Sequence, residues 1–264
     1  MENNNKYFKI LVQLLPKSDP RYKQWRKSLK NRPEVWNKGK TKETDSGVKK
    51  ISQTMKRKKI DNFVNWRQKM IKAGKIIIHR PPLKYSAELA TLIGLVLGDG
   101  NIYKHPRVEK LTISLGTDKP KLISYTQNLI GKVFNKEPSL YKQKKSNCVQ
   151  VYIYQRQISQ RLKIPSGNRK SFKKPIPGWI WSSKKYLIAC LKGLYEAEAS
   201  LCIHKPTCTY NFSFHNLSPF LLNNVKQALT LLEFHPEVRT YAIRLRKKEE
   251  VARFNKLINF RQYS

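Results

Sequence analysis

Two segments of this chain, Leu92–Gly100 (LIGLVLGDG) and Leu191–Ala199 (LKGLYEAEA), repeat one design: an apolar run, small residues four apart, and an acid near the end. An ungapped shift of 99 positions pairs Gly94 with Gly193, Leu95 with Leu194 and Asp99 with Glu198. The same shift pairs Ser114 with Ser213, Pro120 with Pro219 and Leu122 with Leu221. A fixed period over this length implies two copies of one structural unit.

Hydrophobic periodicity gives each copy the same order of elements. In the first, Ser86–Leu97 reads as a helix, Asn101–Tyr103 and Lys110–Leu115 as paired strands, and Lys119–Phe134 as a helix capped by Asp118. A hairpin of Ser139–Lys144 and Cys148–Tyr154 and a short helix, Gln157–Leu162, complete it. The second copy reads as helix Lys184–Ala197, strands Leu201–His204 and Tyr210–Phe214, and helix Pro219–Leu232 behind the cap Ser218. Strands near Val238–Arg246 and a helix Glu249–Asn259 close the chain. The expected fold is α+β, two pseudo-symmetric αββαββα halves over about 86–164 and 183–264, with Pro165, Pro175 and Pro177 between them.

Charge narrows the partners. Lys and Arg number 54 against 17 Asp and Glu in 264 residues, a formal net charge of +37, and the natural counterpart of such a field is a polyanion, above all nucleic acid. Residues 1–85 hold 24 of those cations and 6 of the acids with few apolar runs, which suits a basic, partly helical extension; 86–264 carries the apolar periodicity of a globular domain. The longest apolar stretches fall short of the ~20 residues of a membrane span, and the N-terminus has no secretory pattern, so a soluble monomer in the cytoplasm or an organelle interior is expected. Cys148, Cys190, Cys202 and Cys208 show no CxxC spacing, and packed free thiols are expected rather than zinc at Cys202, His204 and Cys208.

Gly94 and Gly98, like Gly193 and Ala197, lie four apart on one helical face, where two backbones can approach closely. Glycine inside a helix costs roughly 1 kcal/mol against alanine, so the pattern asks for a packing reason. If these faces meet, Asp99 and Glu198 come together at a pseudo-twofold axis, each also opposed by the negative end of its own helix. A hard divalent cation such as magnesium resolves both repulsions.

The two motifs and the repeat around them resemble the LAGLIDADG homing endonucleases of the single-chain, two-motif type, over roughly Ser86 to Ser264. The resemblance implies a saddle of two antiparallel sheets over the DNA major groove, motif helices at the interface between halves, and Asp99 and Glu198 as catalytic metal ligands for Mg2+ or another divalent cation. Leu97 stands where the motif has its first acid, which Glu196 keeps, and Ala199 replaces the last glycine. Ile164–Lys170 resembles a Pro-x-Gly-x-x-Lys loop, which makes Lys170 a candidate for stabilising transition-state charge, against the alternative of a solvated linker lysine. Ser114 and Ser213 match a position that often orients water. Base contacts are expected from one alternating set of strand residues among Thr112, Lys142, Lys144, Gln150, Tyr152, Asn211, Ser213, Arg239, Tyr241 and Arg244.

Within 1–85, the stretches Trp36–Thr44 and Val48–Lys56 resemble the nuclease-associated modular DNA-binding motif. A glycine-containing turn with Lys38, Lys40 and Lys42 leads into a helix with Val48, Ile51 and Met55 on one face and Lys49, Lys50 and Lys56 free for phosphates. The function expected is site-specific double-strand DNA cleavage by an intron-encoded enzyme. The alternatives are a non-cleaving RNA maturase, with intron RNA as partner, or a DNA-binding regulator.

Overall fold

A computed structural model describes residues 16–31, 33–61, 63–142, 146–168, 172–173 and 175–263. Two compact units divide between Ile76 and Ile77. In the first, helix α1 (Pro20–Lys30) begins at Asp19, whose carboxylate accepts from the Arg21 N–H at 2.8 Å, with Pro20 pre-set for the first turn. Helix α2 (Ser46–Arg57) begins at Asp45, which accepts from the Val48 N–H at 3.0 Å, and α3 spans Val64–Lys72. None of the residues in these three helices is buried. Among the described residues of this unit, little stabilisation comes from a hydrophobic core.

The second unit repeats one pattern twice. Its first half runs α4 (Ala87–Gly98), β1 (Gly100–Lys104), β2 (Glu109–Gly116), α5 (Pro120–Phe134), β3 (Ser139–Lys142), β4 (Cys148–Gln155) and α6 (Ile158–Leu162). After a 3-10 turn at Gly178–Ser182 come α7 (Lys184–Glu198), β5 (Ala199–His204), β6 (Thr209–His215), α8 (Pro219–Leu231), β7 (Glu237–Arg239), β8 (Ala242–Leu245) and α9 (Lys248–Ile258). Each half has a four-stranded antiparallel sheet, ordered β1-β2-β4-β3 in the first and β5-β6-β8-β7 in the second. The two αββαββα halves are those the 99-residue shift implies.

Alternation along β2 buries Glu109, Leu111, Ile113 and Leu115 and turns Lys110, Thr112 and Ser114 outward. The core of the first half is aliphatic apart from Phe134; that of the second is built round Tyr195, whose ring lies 5.0 Å from Phe212 and 4.8 Å from Phe254. Between the halves, α4 is buried along Leu89–Leu97 because it is covered on all sides.

The helix pair α4–α7 supplies the packing reason for its glycines. A Cβ on Gly94 would lie 2.2 Å from the Cys190 carbonyl oxygen, and one on Gly193 would lie 2.0 Å from that of Thr91. Thr91 and Cys190 are themselves 99 apart, so the two contacts are images of each other across a pseudo-twofold axis.

Four expectations change. Asp118 does not cap α5: Lys119 holds that position without a side-chain cap, and Pro120 begins the helix. Tyr241 lies in the turn between β7 and β8 rather than in a strand. Of the cysteines expected to be packed, Cys190 is buried, but Cys202 and Cys208 are exposed. Lys142 lies opposite Val149 in the register, and so shares a face with Leu140 and Val151 rather than with Thr112 and Gln150.

Candidate metal centre and nucleic-acid faces

Asp99 is the residue on which α4 ends: its N–H donates to the Leu95 carbonyl at 3.0 Å, and its own carbonyl accepts from the Ser114 N–H at 3.3 Å. The carboxylate is thereby fixed at the junction of the motif helix and the sheet. Glu198 is the last residue of α7, and its Cγ would be 3.1 Å from a Cβ on Gly98. Helix crossing on glycine thus brings the two acids to one place.

Their chemistry reflects that place. Burial, and then the charge of Glu198, push the Asp99 carboxyl up to about 6, with Lys119 opposing. Burial also raises Glu198, offset by a hydrogen bond from Asn216 Nδ2 at 3.4 Å and by the nearby His215. The electrostatic cost of proximity is expressed at Asp99. Among the described residues, no cluster of three or more His, Cys, Asp or Glu side chains gathers. Two carboxylates with hard oxygens and mutual repulsion fit a divalent cation that keeps waters and takes its remaining ligands from backbone carbonyls or a phosphate, as magnesium does.

The other acid of the second motif has a structural task. Buried Glu196 accepts from the Arg261 N–H at 2.6 Å and from the Tyr263 hydroxyl, tying the segment after α9 to α7. Tyr263→Phe removes a donor from a buried carboxylate and is expected to lower stability by about 1–3 kcal/mol in urea unfolding. An unchanged midpoint would show that Glu196 does not need the tether.

The strand register selects the open faces. On the first sheet Thr112 and Ser114 share theirs with Tyr152 and Gln150. On the second, Asn211, Ser213, Arg244 and Arg239 fall on one face, with Ser200, Cys202 and Glu237. Ser213 is on that face but only 1% exposed: its hydroxyl lies 3.0 Å from Ser200 Oγ and 2.9 Å from His215 Nε2, so it braces neighbours rather than meeting a ligand. Arg239 pairs with Glu237. Lys144 and Lys170 lie outside the described residues.

In the first unit, Gly39 takes φ +74° in the basic turn, the left-handed conformation glycine tolerates. Lys38 pairs with Glu34, Lys42 with Glu43 at 3.3 Å, and Lys40 with Asp45 at 3.1 Å while lying 5.4 Å from the centre of the Trp36 ring. Lys49, Lys50 and Lys56 are exposed on α2. Sequence reasoning missed Lys119, His215 and Asn216, whose only linear signal is a position at or shortly after the end of the second strand of each half.

Residues 86–177 match the family model described as a LAGLIDADG-like domain. No curated protein matches the chain. Among solved structures, mesophilic variants of the homing endonuclease I-DmoI align at TM-score 0.47 and 18% identity, over 65% of this chain and 94% of theirs. I-DmoI in complex with DNA and Mn aligns at TM-score 0.46 and 17% identity, over 65% and 96%. Full-length DUF199/WhiA from Thermatoga maritima aligns at TM-score 0.47 and 14% identity, over 69% of this chain and 58% of that one. The segment from 86 to 177, with its acid-tipped helix and four-stranded antiparallel sheet, is thus similar to a LAGLIDADG-like domain.

Proposed function

We propose that this chain is a metal-dependent, site-specific double-strand DNA endonuclease of intron-homing type. The observation that carries the reading is the meeting of Asp99 and Glu198 at the glycine crossing, where two carboxylates repel each other and a hard cation would relieve them. Such a cation, held by Asp99 and Glu198, would activate water and neutralise charge on a phosphodiester. Asn216 orients the Glu198 carboxylate, and His215 holds Ser213 and so the end of β6 beside it. Thr112, Gln150, Asn211 and Arg244 are the polar residues of the two open faces suited to base edges, and the charge of the chain favours a duplex.

The test is cleavage-site selection on a random duplex library with magnesium, run beside Asp99→Asn and Glu198→Gln. Sequence-specific double-strand breaks in the wild type, lost in both variants, are the expected outcome. Specific duplex binding without breaks would instead mark a DNA-binding regulator, and cleavage persisting in both variants would overturn the assigned centre.

The first unit is proposed as a phosphate-following arm that lengthens the footprint, on the strength of exposed Lys49, Lys50 and Lys56 on α2. A chain starting at Ile77 is then expected to bind duplex more weakly and to keep its chemistry. The slope of log affinity against log salt should become shallower by about 0.9 for each phosphate that the arm would otherwise neutralise. An unchanged slope would remove the arm from the interface.

A further inference from the structure

On their helical sides, away from the sheet faces, the two halves depart from their repeat. In the second half the segment that joins the halves lies over α8. Pro175, Ile176 and Pro177 are all buried there, and the Ile176 N–H donates to Asn224 Oδ1 at 3.4 Å. Pro175 also shares a small hollow with Ser218 and Leu221 in the first turn of α8. In the first half the chain ahead of α4 takes another course. The Arg80 N–H donates to Gln157 Oε1 at 2.9 Å and the Pro81 carbonyl accepts from Arg161 Nε at 3.0 Å, which holds that stretch against α6. Ile77, the image of Ile176 under the 99-residue shift, is 46% exposed.

Tyr125 on α5 is the image of Asn224, and the place beside it is open. A cavity of about 560 Å³ lies there between α5 and the segment after α9, with Tyr125, Leu129 and Tyr263 among its walls. The two tyrosine rings are 5.4 Å apart. Lys192 braces both sides: its Nζ lies 5.4 Å from the centre of the Tyr125 ring and donates to the Gln262 carbonyl at 3.3 Å. The Tyr263 hydroxyl is held in turn by Glu196, so the walls are set before anything binds. Lys121 and Lys132 stand exposed on the rim, three turns apart on one helix, roughly 16 Å. Glu88, also on the rim, has Lys132 and Lys185 near it, which leaves the rim net cationic. Glu88 is in the first turn of α4 and Asp99 ends that helix, so this part of the rim is roughly 16 Å from the paired acids.

We propose that this groove receives an extended segment of a partner protein, apolar and proline-bearing at its centre and acidic at its flanks. The molecule carries its own template for the centre, since Pro175–Pro177 fills the equivalent place on α8. A groove walled by tyrosines suits such a segment, because proline rings pack on aromatic faces and a proline-rich chain loses little entropy on binding. The flanks follow from charge complementarity: Lys121 and Lys132 are separated by the reach of about five extended residues, so acids on either side of a short apolar centre meet both cations. A second copy of this chain is a poor occupant, because it brings a net charge of +37 and its own Pro175–Pro177 is already buried. The groove lies on the helical side of the fold and does not rest on the proposed cleavage.

The experiment is fluorescence anisotropy on the full chain with two labelled peptides, EEPIPGEE and EEGSGSEE, and a short DNA duplex. Lys121→Glu/Lys132→Glu is expected to weaken EEPIPGEE by about tenfold or more, whereas Lys226→Glu/Lys256→Glu, the same charge change on α8 and α9, stays within about twofold. Ser124→Trp, which places a ring in the groove from an exposed position on α5, should weaken it by about tenfold as well. The wild type should bind EEGSGSEE about tenfold less tightly than EEPIPGEE, and the duplex should not displace EEPIPGEE. Circular dichroism of the variants checks folding, which changes at exposed helix positions should not disturb. Failure of the wild type to bind EEPIPGEE would overturn the proposal. Equal losses in the two charge-reversed variants, unchanged binding by Ser124→Trp, or equal affinity for the two peptides would reduce the effect to general charge attraction and overturn it too. Displacement of EEPIPGEE by the duplex would overturn a protein segment as the occupant.

Discussion

Gly193→Ala is expected to destabilise the second unit by more than about 3 kcal/mol, far beyond an ordinary surface change. Helix propensity alone would favour alanine by roughly 1 kcal/mol. The new Cβ, however, would lie 2.0 Å from the Thr91 carbonyl oxygen and 2.8 Å from the Leu95 nitrogen, both backbone atoms of a buried helix. Neither atom can swing aside as a side-chain end would, so α4 and α7 must separate and open the core on both sides. Gly131, also inside a helix, provides the control: a Cβ there meets nothing within 4 Å, and Gly131→Ala should raise stability by up to about 1 kcal/mol. Paired thermal melts of the two variants measure both signs at once. Similar small effects in both would mean that the helices do not cross on glycine.

Asp99→Asn should move activity and stability in opposite directions. Cleavage is expected to fall by about a hundredfold or more, because a carboxylate of the proposed metal pair is gone. Stability without divalent cations should rise. Burial and Glu198 hold the Asp99 carboxyl at about 6 in the folded chain, above its ordinary 3.8, so the fold favours the protonated form. The stability it contributes is complete below about pH 3.8 and is lost as pH rises through about 6. At pH 7 the native chain bears the cost of the charge and the amide does not. Allowing for the solvent-exposed part of the carboxylate, the gain is on the order of 1–2 kcal/mol, and it vanishes near pH 4. Magnesium should invert the order at pH 7, since a ligand that binds only the folded native chain stabilises it. Denaturant melts at pH 4 and 7, with and without magnesium, separate these terms; a variant less stable than wild type at pH 7 without metal would contradict the environment assigned to Asp99.

The repeat was legible because its signals are local: an apolar run, glycines four apart, Pro120 and Pro219 at helix starts, alternation in Lys110–Leu115. The acids were legible for the same reason, standing at the ends of those runs. What depends on register was not. Whether Lys142 faces with Gln150 or against it is decided by which residues the β3–β4 connection sets opposite one another, and Val149 is its partner. Ser213 reads as an open strand position, but Ser200 and His215, contributed by register and by local side-chain direction, close over its hydroxyl. Tyr103, Lys110 and Tyr154, far apart in linear order, become neighbours on one sheet face only because β2 pairs on both edges. The cap at Asp118 failed because Pro120 already starts the helix one residue beyond Lys119.

The crossing of α4 and α7 also makes the two halves complementary rather than interchangeable. A Cβ on Gly98 would lie 2.4 Å from the Cβ of Ala197, its equivalent in the other copy. Two copies of the second half joined in this way would set alanine against alanine at that spacing and be forced apart. Two copies of the first half would set glycine against glycine and leave a gap beside their acids. A single methyl group, present in one repeat and missing from the other, therefore fills the crossing only when the two halves differ: a copy of the second half would be crowded there, and a copy of the first would be left underfilled.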